Sequence, residues 1–209
     1  MSNILLVTSS PRNGASSSSR VARDLADRLV AAHPGATLTV RDLAAQPLPH
    51  IGEDYVVGRT LEPGQRTPAQ AEAVAIADTL TDELRAADVV VIGSAMINFG
   101  ITSTLKSWFD YLLRAGITFS YGPEGAKGLI TGKQVYLVTA RGGIYSEGPY
   151  KPFDFQEPYL RHLLGFIGLT DVETVLVEGA NLGPDVAERS LVTALDHVAE
   201  ITARQALAA

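Results

Sequence analysis

The chain has 209 residues, a net charge of −6 from 17 Lys and Arg against 23 Asp and Glu, and no cysteine. The missing cysteine excludes a disulfide framework, a thiolate metal site and a cysteine nucleophile. The acidic balance argues against a surface that binds duplex nucleic acid, which needs basic side chains, and no apolar run approaches the ~18 residues that span a bilayer. The N-terminus runs directly into an apolar pattern without a basic leader. We therefore expect a cytoplasmic protein with neither a nucleic-acid nor a membrane partner.

Strand and helix patterns alternate along the chain. Asn3 to Thr8 is a short apolar run typical of a buried parallel strand, and apolar spacing from Ser17 to Ala32 predicts a helix. The later predicted elements are a strand at Leu38 to Val40, a long irregular segment from Ala44 to Pro68, a helix from Thr67-Pro68 to about Ala87, a strand at Asp88 to Gly93, a helix at Thr102 to Ala115, a strand at Gln134 to Ala140, a helix at Pro158 to Ile167, a strand at Val172 to Val177 and a helix at Pro184 to Ala206. This alternation predicts one α/β domain over residues 1–209, a doubly wound, five-stranded parallel sheet with helices on both faces.

The loop after the first strand has the composition of a phosphate site. In doubly wound folds, ligands bind beyond the carboxyl ends of the strands, where the strand order reverses. The loop from Ser9 to Arg20 enters a helix whose first N–H groups and partial positive charge suit a phosphate. Hydroxyls of Ser10, Ser16, Ser17 and Ser18 can donate to its oxygens. The alternative is that these serines only cap the helix and fill a turn.

Two more strand ends carry unusual loops. Ser94 to Ile101 offers a thioether, an amide and an aromatic ring, which suit the wall of a pocket for a planar heterocycle. The alternative is ordinary core packing. After Ala140, Gly142 and Gly143 let backbone amides approach a ligand, and Arg141 could stabilise negative charge on a ring carbonyl or simply be solvated. The three loops together predict a phosphorylated planar cofactor.

These blocks resemble the FMN-dependent azoreductases, which are bacterial NAD(P)H:quinone oxidoreductases with a flavodoxin-like fold. The resemblance runs essentially end to end and includes VRDLAAQPLP, M-x-N-F, LKSWFDYLLRAGITFSY, GLITGK, R-G-G and HLLGFIGLTDVETVLVEG. It implies an FMN phosphate held at Ser10, Ser16, Ser17 and Ser18, and a flavin ring held at Met96, Ile97, Asn98, Phe99, Ala140, Arg141, Gly142 and Gly143. It also implies a homodimer with its flavin sites near the interface, lined by positions that Phe119 and Tyr121 resemble.

The chain departs from the family pattern at four positions. The family usually has P-M-Y-N-F and T-S-R-G-G, whereas Ala95, Ile97 and Ala140 stand here for Pro, Tyr and Ser. Tyr145 stands where some members carry histidine. The segment from Tyr145 to Tyr159 holds five of the thirteen Phe and Tyr residues, which suits stacking of a flat acceptor, a dimer interface or packing of the loop on its own core.

The resemblance implies a ping-pong reaction. NADH or NADPH passes a hydride to flavin N5 and leaves before a quinone or azo compound takes two electrons. Because the cofactor carries the chemistry, we expect no catalytic side chain, and the scattered histidines show no metal-ligand spacing.

Other hypotheses stay open. One is a flavodoxin-like electron carrier that is reduced by a protein partner, and another is a specialised reductase of one metabolite quinone, which the changes at Ala95, Ile97 and Ala140 would fit. A hydrolase on the same architecture ranks last because no G-x-S-x-G elbow precedes a helix.

Overall fold

A computed structural model describes residues 2–208 of the chain. The α-helices and strands of this part are, in chain order, β1 (Asn3–Thr8), α1 (Ser17–Ala32), β2 (Thr37–Asp42), α2 (Glu53–Gly58), α3 (Pro68–Ala86), β3 (Val89–Ala95), α4 (Ser103–Leu112), β4 (Phe119–Gly122), β5 (Gly125–Gly128), β6 (Gln134–Ala140), α5 (Glu157–Ile167), β7 (Asp171–Val177) and α6 (Pro184–Ala208). None of the helices in this described part is long and apolar enough to cross a membrane.

Five strands form a parallel sheet in the order β2-β1-β3-β6-β7. The order reverses at β1, since the chain passes from β1 to one neighbour and then returns to β3 on the other side. The predicted doubly wound sheet is therefore confirmed. Its register sets Thr8 opposite Gly93 and Ala95 opposite Ala140, so the loops after β1, β3 and β6 meet at one edge.

The sheet divides the core into two layers. Successive residues of β1 point to opposite faces, so that Leu5 packs in the layer under α3, α4 and α5, and Leu6 packs under α1 and α6. Trp108 and Leu164 fill the first layer, and Leu25 belongs to the second. Each fully buried side chain of this kind stabilises the fold by about 1.5–3 kcal/mol relative to an exposed one.

Most predicted elements are confirmed to within a few residues. The start of α3 at Thr67-Pro68 is one of them, and side-chain caps fix it there. Thr67 and Gln70 form a capping box, in which Thr67 Oγ1 accepts from the N–H of Gln70 and Gln70 Oε1 accepts from the N–H of Thr67. The helix predicted to reach Ala115 ends at Leu112 instead, because the N–H of Arg114 donates to Thr118 Oγ1 at 3.0 Å.

Among the α-helices and strands of the described residues, two features were not predicted. The irregular segment from Ala44 to Pro68 contains the six-residue helix α2, which is too short for a recognisable apolar period. The antiparallel hairpin of β4 and β5 was also missed, because GAKG lacks the β-branched residues that favour a strand. The hairpin is held close to α5, since a Cβ on Gly128 would lie 2.1 Å from the backbone nitrogen of Gly168.

Candidate functional site

The loops after β1, β3 and β6 enclose a cavity of about 230 Å³ at the carboxyl edge of the sheet. The N–H of Met96 donates to the carbonyl of Ala140 at 2.8 Å and ties two of these loops together. The lining residues are Ser10, Pro11, Arg12, Ser16, Ser17, Ala95, Met96, Ile97, Ala140, Arg141, Gly142, Ala180 and Asn181. The structure thus brings together eight of the twelve residues predicted to bind the cofactor (Ser10, Ser16, Ser17, Met96, Ile97, Ala140, Arg141 and Gly142).

One end of this cavity is the start of α1. Ser16 caps the helix, with its Oγ accepting from the N–H of Ser19 at 3.2 Å. The N–H groups of Ser17 and Ser18 stand in the first turn, where a helix provides no internal acceptor. Together with the partial positive charge of the helix start, these groups form a cradle suited to a phosphate.

Ser18 takes a different position from the other predicted serines. Its side chain is fully buried, its Oγ lies 3.1 Å from Ser16 Oγ, and it is outside the cavity lining. The reason is helical geometry, because Ser18 shares the buried face of α1 with Val21, Ala22 and Leu25. The Ser18 hydroxyl therefore lies away from the cavity, while the backbone N–H of Ser18 stands in the first turn of α1.

The loop after β3 contains a strained turn. Ile97 and Gly100 exchange two backbone hydrogen bonds of 3.0 Å, and the two residues between them, Asn98 and Phe99, have φ values of 47° and 72°. Positive φ is tolerated by asparagine but is unusual for a bulky residue. Such strain persists only where surrounding structure enforces it, and here the carbonyl of Phe99 accepts from the N–H of Phe155.

A second, larger cavity of about 780 Å³ adjoins the first, and its walls are largely apolar. The two cavities share Gly142 and Asn181. The other lining residues are Phe99, Gly143, Ile144, Tyr145, Glu147, Gly148, Pro149, Tyr150 and Leu182. The rings of Phe99 and Tyr145 meet edge to face with centroids 6.2 Å apart. An apolar cavity with exposed ring edges suits a flat molecule.

Gly142 lies where the two cavities join. A Cβ on Gly142 would lie 2.4 Å from Asn181 Nδ2. The carbonyls of Arg141, Gly142 and Gly143 accept from the N–H groups of Ala180, Asn181 and Gly179 at 3.2, 2.9 and 3.1 Å. In a trans peptide the N–H points opposite to the carbonyl. The N–H groups of residues 142–144 therefore face away from the segment 179–181, a row of donors that suits a partly negative ligand atom.

The Arg141 side chain is not solvated, so that alternative is wrong, whereas its predicted effect on negative charge at a ring stays a prediction. The side chain is 1% exposed. Its Nη2 lies 2.9 Å from Asp154 Oδ2 and 3.4 Å from Glu157 Oε2, and its Nη1 lies 3.1 Å from Glu178 Oε1. Its Nε donates to Gln156 Oε1 at 3.1 Å. The positive charge of Arg141 is thus paired with carboxylates inside the protein.

Sequence reasoning missed the loop after β7. Glu178 follows this strand directly, and Asn181 lines both cavities. The sequence carries a signal for it, because β7 is parallel to β6 and ends at the same edge of the sheet as β1, β3 and β6. Polar residues directly after such a strand are expected at the ligand site.

Phe119 and Tyr121 lie on the β4–β5 hairpin, outside the linings of both cavities. Phe119 is buried against Phe166, with ring centroids 4.7 Å apart, whereas Tyr121 is 73% exposed. Their predicted role beside a flavin site at a subunit interface stays a prediction.

Comparison with known proteins gives consistent matches. A family model described as "Flavodoxin-like fold" matches residues 2–201. An FMN-dependent NADH:quinone oxidoreductase of Mesorhizobium japonicum is 52% identical over 207 residues, which cover 99% of each chain. A protein of the same name, numbered 1, from Burkholderia lata is 55% identical over 194 residues, 93% of this chain and 94% of that one. The crystal structure of an azoreductase from Bacillus anthracis has a TM-score of 0.88 and 36% identity, covering 97% of this chain and 99% of the other.

Proposed function

This chain belongs to the flavodoxin-like fold family and, within it, to the FMN-dependent NADH:quinone oxidoreductases and azoreductases, and from that membership we propose that it reduces quinones and azo compounds with electrons from NADH. The observation that carries the proposal is the union of a phosphate cradle with a broad apolar cavity at one sheet edge. The resemblance identified in the sequence and the flavodoxin-like version of the fold are confirmed.

The residues of the first cavity fit FMN. The start of α1 offers phosphate donors, and the N–H groups of residues 142–144, which face away from the segment 179–181, can donate to a ring atom. We assign the phosphate to Ser10, Ser16, Ser17 and the N–H of Ser18, and the ring to residues 96–99 and 140–143. FMN bound there would supply a two-electron centre that takes hydride at N5 from the nicotinamide and gives two electrons to the acceptor.

The chain's own contribution is electrostatic and steric. The N–H groups of residues 142–144 are fixed by the carbonyl bonds to the segment 179–181, so they can stabilise negative charge that develops on the ring without reorganising. Phe99 and Tyr145 offer ring edges to a flat molecule in the second cavity. Positioning of the reacting groups then replaces acid–base catalysis by a side chain.

The size and position of the second cavity support a ping-pong order. This one apolar space adjoins the cofactor cavity through Gly142 and Asn181. The nicotinamide and the acceptor both need a flat apolar wall beside the ring, so we propose that they occupy the second cavity in turn.

Exposed aromatic residues near the second cavity support a homodimer, and the hairpin with Tyr121 is the segment that we propose extends towards the partner.

The test is an anaerobic titration of FMN-loaded protein with NADH, in which the flavin absorbance at ~450 nm is recorded. A quinone is then added to the reduced protein. Loss of the band with NADH and its return with the quinone are expected. Initial rates should give parallel double-reciprocal lines, and intersecting lines would contradict the ping-pong order. A protein whose band persists in NADH would instead favour the electron carrier.

A further inference from the structure

We propose that Glu178 is a positioning residue whose carboxylate holds the loop of residues 143–148, and that it thereby sets how tightly the acceptor binds in the second cavity. The inference rests on the proposed function, since it assigns the second cavity to the acceptor. Glu178 itself lies outside the linings of both cavities, so it acts through the loop rather than by contact with a ligand.

The contacts of Glu178 concentrate on two consecutive residues of this loop. Its Oε1 accepts from the N–H groups of Tyr145 at 2.7 Å and Ser146 at 3.0 Å, and its Oε2 accepts from Ser146 Oγ. The side chain of Glu178 is only 10% exposed. Hydrogen bonds to a shielded carboxylate are about twice as strong as neutral ones, so these three bonds fix the loop backbone at Tyr145.

The other side of Glu178 is fixed to the sheet. Arg141 Nη1 lies 3.1 Å from the same Oε1, and Arg141 is joined through Gln156 to the end of β3, where Gln156 Nε2 donates to the carbonyl and the Oγ of Ser94 at 3.0 Å. The N–H of Glu178 also donates to Ser190 Oγ at 2.8 Å. Glu178 therefore connects the loop to the ends of three strands, β3, β6 and β7.

The loop needs such an anchor because its own contacts are few. Ile144 and the residues 146–150 are exposed, and the loop ends at Gly148, whose φ is 68°. Without the carboxylate, the wall that contains Tyr145 would have to become ordered each time a ligand bound, and that cost reduces affinity. The effect therefore belongs to KM for the acceptor, and equally to KM for NADH, because we propose that the nicotinamide occupies the same cavity.

Removal of the carboxylate leaves the buried charge paired. In Glu178→Ala, Arg141 keeps Asp154 at 2.9 Å and Glu157 at 3.4 Å, so no buried cation is isolated. Glu178→Gln keeps an acceptor oxygen for both N–H groups and an amide that can donate to Ser146 Oγ. Glu157→Gln is the matched control, since it removes one carboxylate from Arg141 without touching the loop.

We expect Glu178→Ala to raise KM for a benzoquinone about tenfold, with kcat and the Kd for FMN within about twofold of the parent protein. Amide hydrogen exchange at Tyr145 and Ser146 should accelerate at least about tenfold in the FMN-loaded protein. Glu157→Gln should keep KM and exchange near the parent values, whereas Glu178→Gln, which keeps the three bonds without the charge, should give values between those of the parent protein and Glu178→Ala.

Unchanged exchange at Tyr145 and Ser146 in Glu178→Ala would overturn the proposal, and so would an equal rise of KM in Glu157→Gln. The exchange measurement does not need turnover, so it separates failure of the anchor from failure of the proposed function. Should Glu178→Ala not fold, Ser146→Ala removes one of the three bonds and is expected to accelerate exchange at Tyr145 and raise KM about twofold. No change in that variant would equally overturn the proposal.

Discussion

The N–H of Phe155 donates to the carbonyl oxygen of Phe99 at 3.1 Å, and this bond joins the strained turn after β3 to the aromatic segment, residues 145–155, that precedes α5. Both rings are substantially exposed, at 48% for Phe99 and 60% for Phe155. The turn is therefore held by backbone contacts, while its rings remain available on the surface. A backbone that is strained for the sake of an exposed ring is a feature of binding sites.

Phe99→Gly should separate the strain of the turn from the function of its ring. Glycine adopts the φ of 72° found here without a steric cost. We therefore expect the unfolding free energy of Phe99→Gly to exceed that of Phe99→Ala by about 1 kcal/mol. Both variants should lose acceptor affinity alike. Urea denaturation and steady-state quinone reduction measure the two effects. A more stable alanine variant would refute the strain.

Ser16→Ala should weaken both the helix and FMN binding. Ser16 Oγ accepts from the N–H of Ser19 and pairs with Ser18 Oγ, and loss of such a cap costs about 1 kcal/mol. We expect FMN affinity, measured by quenching of flavin fluorescence, to fall about tenfold. Ser17→Ala is the matched control, with weaker FMN binding but unchanged stability of the apoprotein. If Ser16→Ala loses stability but keeps its FMN affinity, the result would favour the alternative that these serines only cap the helix.

Ile97→Tyr should change acceptor preference if the departures from the family pattern serve one particular quinone. Ile97 lines the first cavity and is 43% exposed, so a larger ring at this position would alter the shape of the wall. We expect the ratio of kcat/KM for a compact benzoquinone to that for an extended azo dye to shift at least about threefold. Val192→Tyr, on the exposed surface of α6, is the control. An unchanged ratio would count against the specialised reductase.

Glu173 should contribute stability that depends on pH. Desolvation raises the pKa of Glu173, but hydrogen bonds from Arg204 and His197 outweigh it and lower the pKa below 4.5. Stability from this group is thus full above about pH 4.5 and is lost as the pH falls through the folded-state pKa. We expect Glu173→Gln to cost less than ~1 kcal/mol at pH 7, since the pair is partly exposed.

The measurement for Glu173 is urea denaturation of both proteins between pH 7 and acid, with the exposed Glu188→Gln as a control. The difference between the parent protein and Glu173→Gln should shrink towards acid and vanish once both carry a neutral side chain at this position. A difference that stays constant with pH would exclude the ionic contribution.

Gly128→Ala should destabilise the hairpin. Its Cβ would lie 2.1 Å from the backbone nitrogen of Gly168, which cannot move aside as a flexible side chain can. We expect a loss of about 2–3 kcal/mol in unfolding free energy. Gly122→Ala, at the other end of the hairpin and with nothing within 4 Å of its Cβ, should be tolerated. Equal stability of the two variants would show that the hairpin moves freely from α5.

The parallel sheet and most of the cofactor loops were predictable because they depend on local patterns. Apolar runs such as Asn3–Thr8 and helical spacing such as Ser17–Ala32 fix the elements, and parallel topology then brings their ends together. The role of Arg141 was not predictable, since its carboxylate partners come from separate segments of the chain. The burial of the Ser18 side chain was not predictable for a related reason, since the direction of this side chain depends on where the helix packs.

Arg141, Gln156, Glu178 and Ser94 constrain how this protein can be redesigned or can diverge. Arg141 and Gln156 depend on each other most, because Arg141 Nε donates to Gln156 Oε1, and loss of either side chain leaves a buried polar group unpaired at a cost of about 1–3 kcal/mol. The exposed rings of the aromatic segment carry no such obligation. New acceptor preferences can therefore arise by single substitutions at the rim, whereas the polar frame beneath can change only in concert.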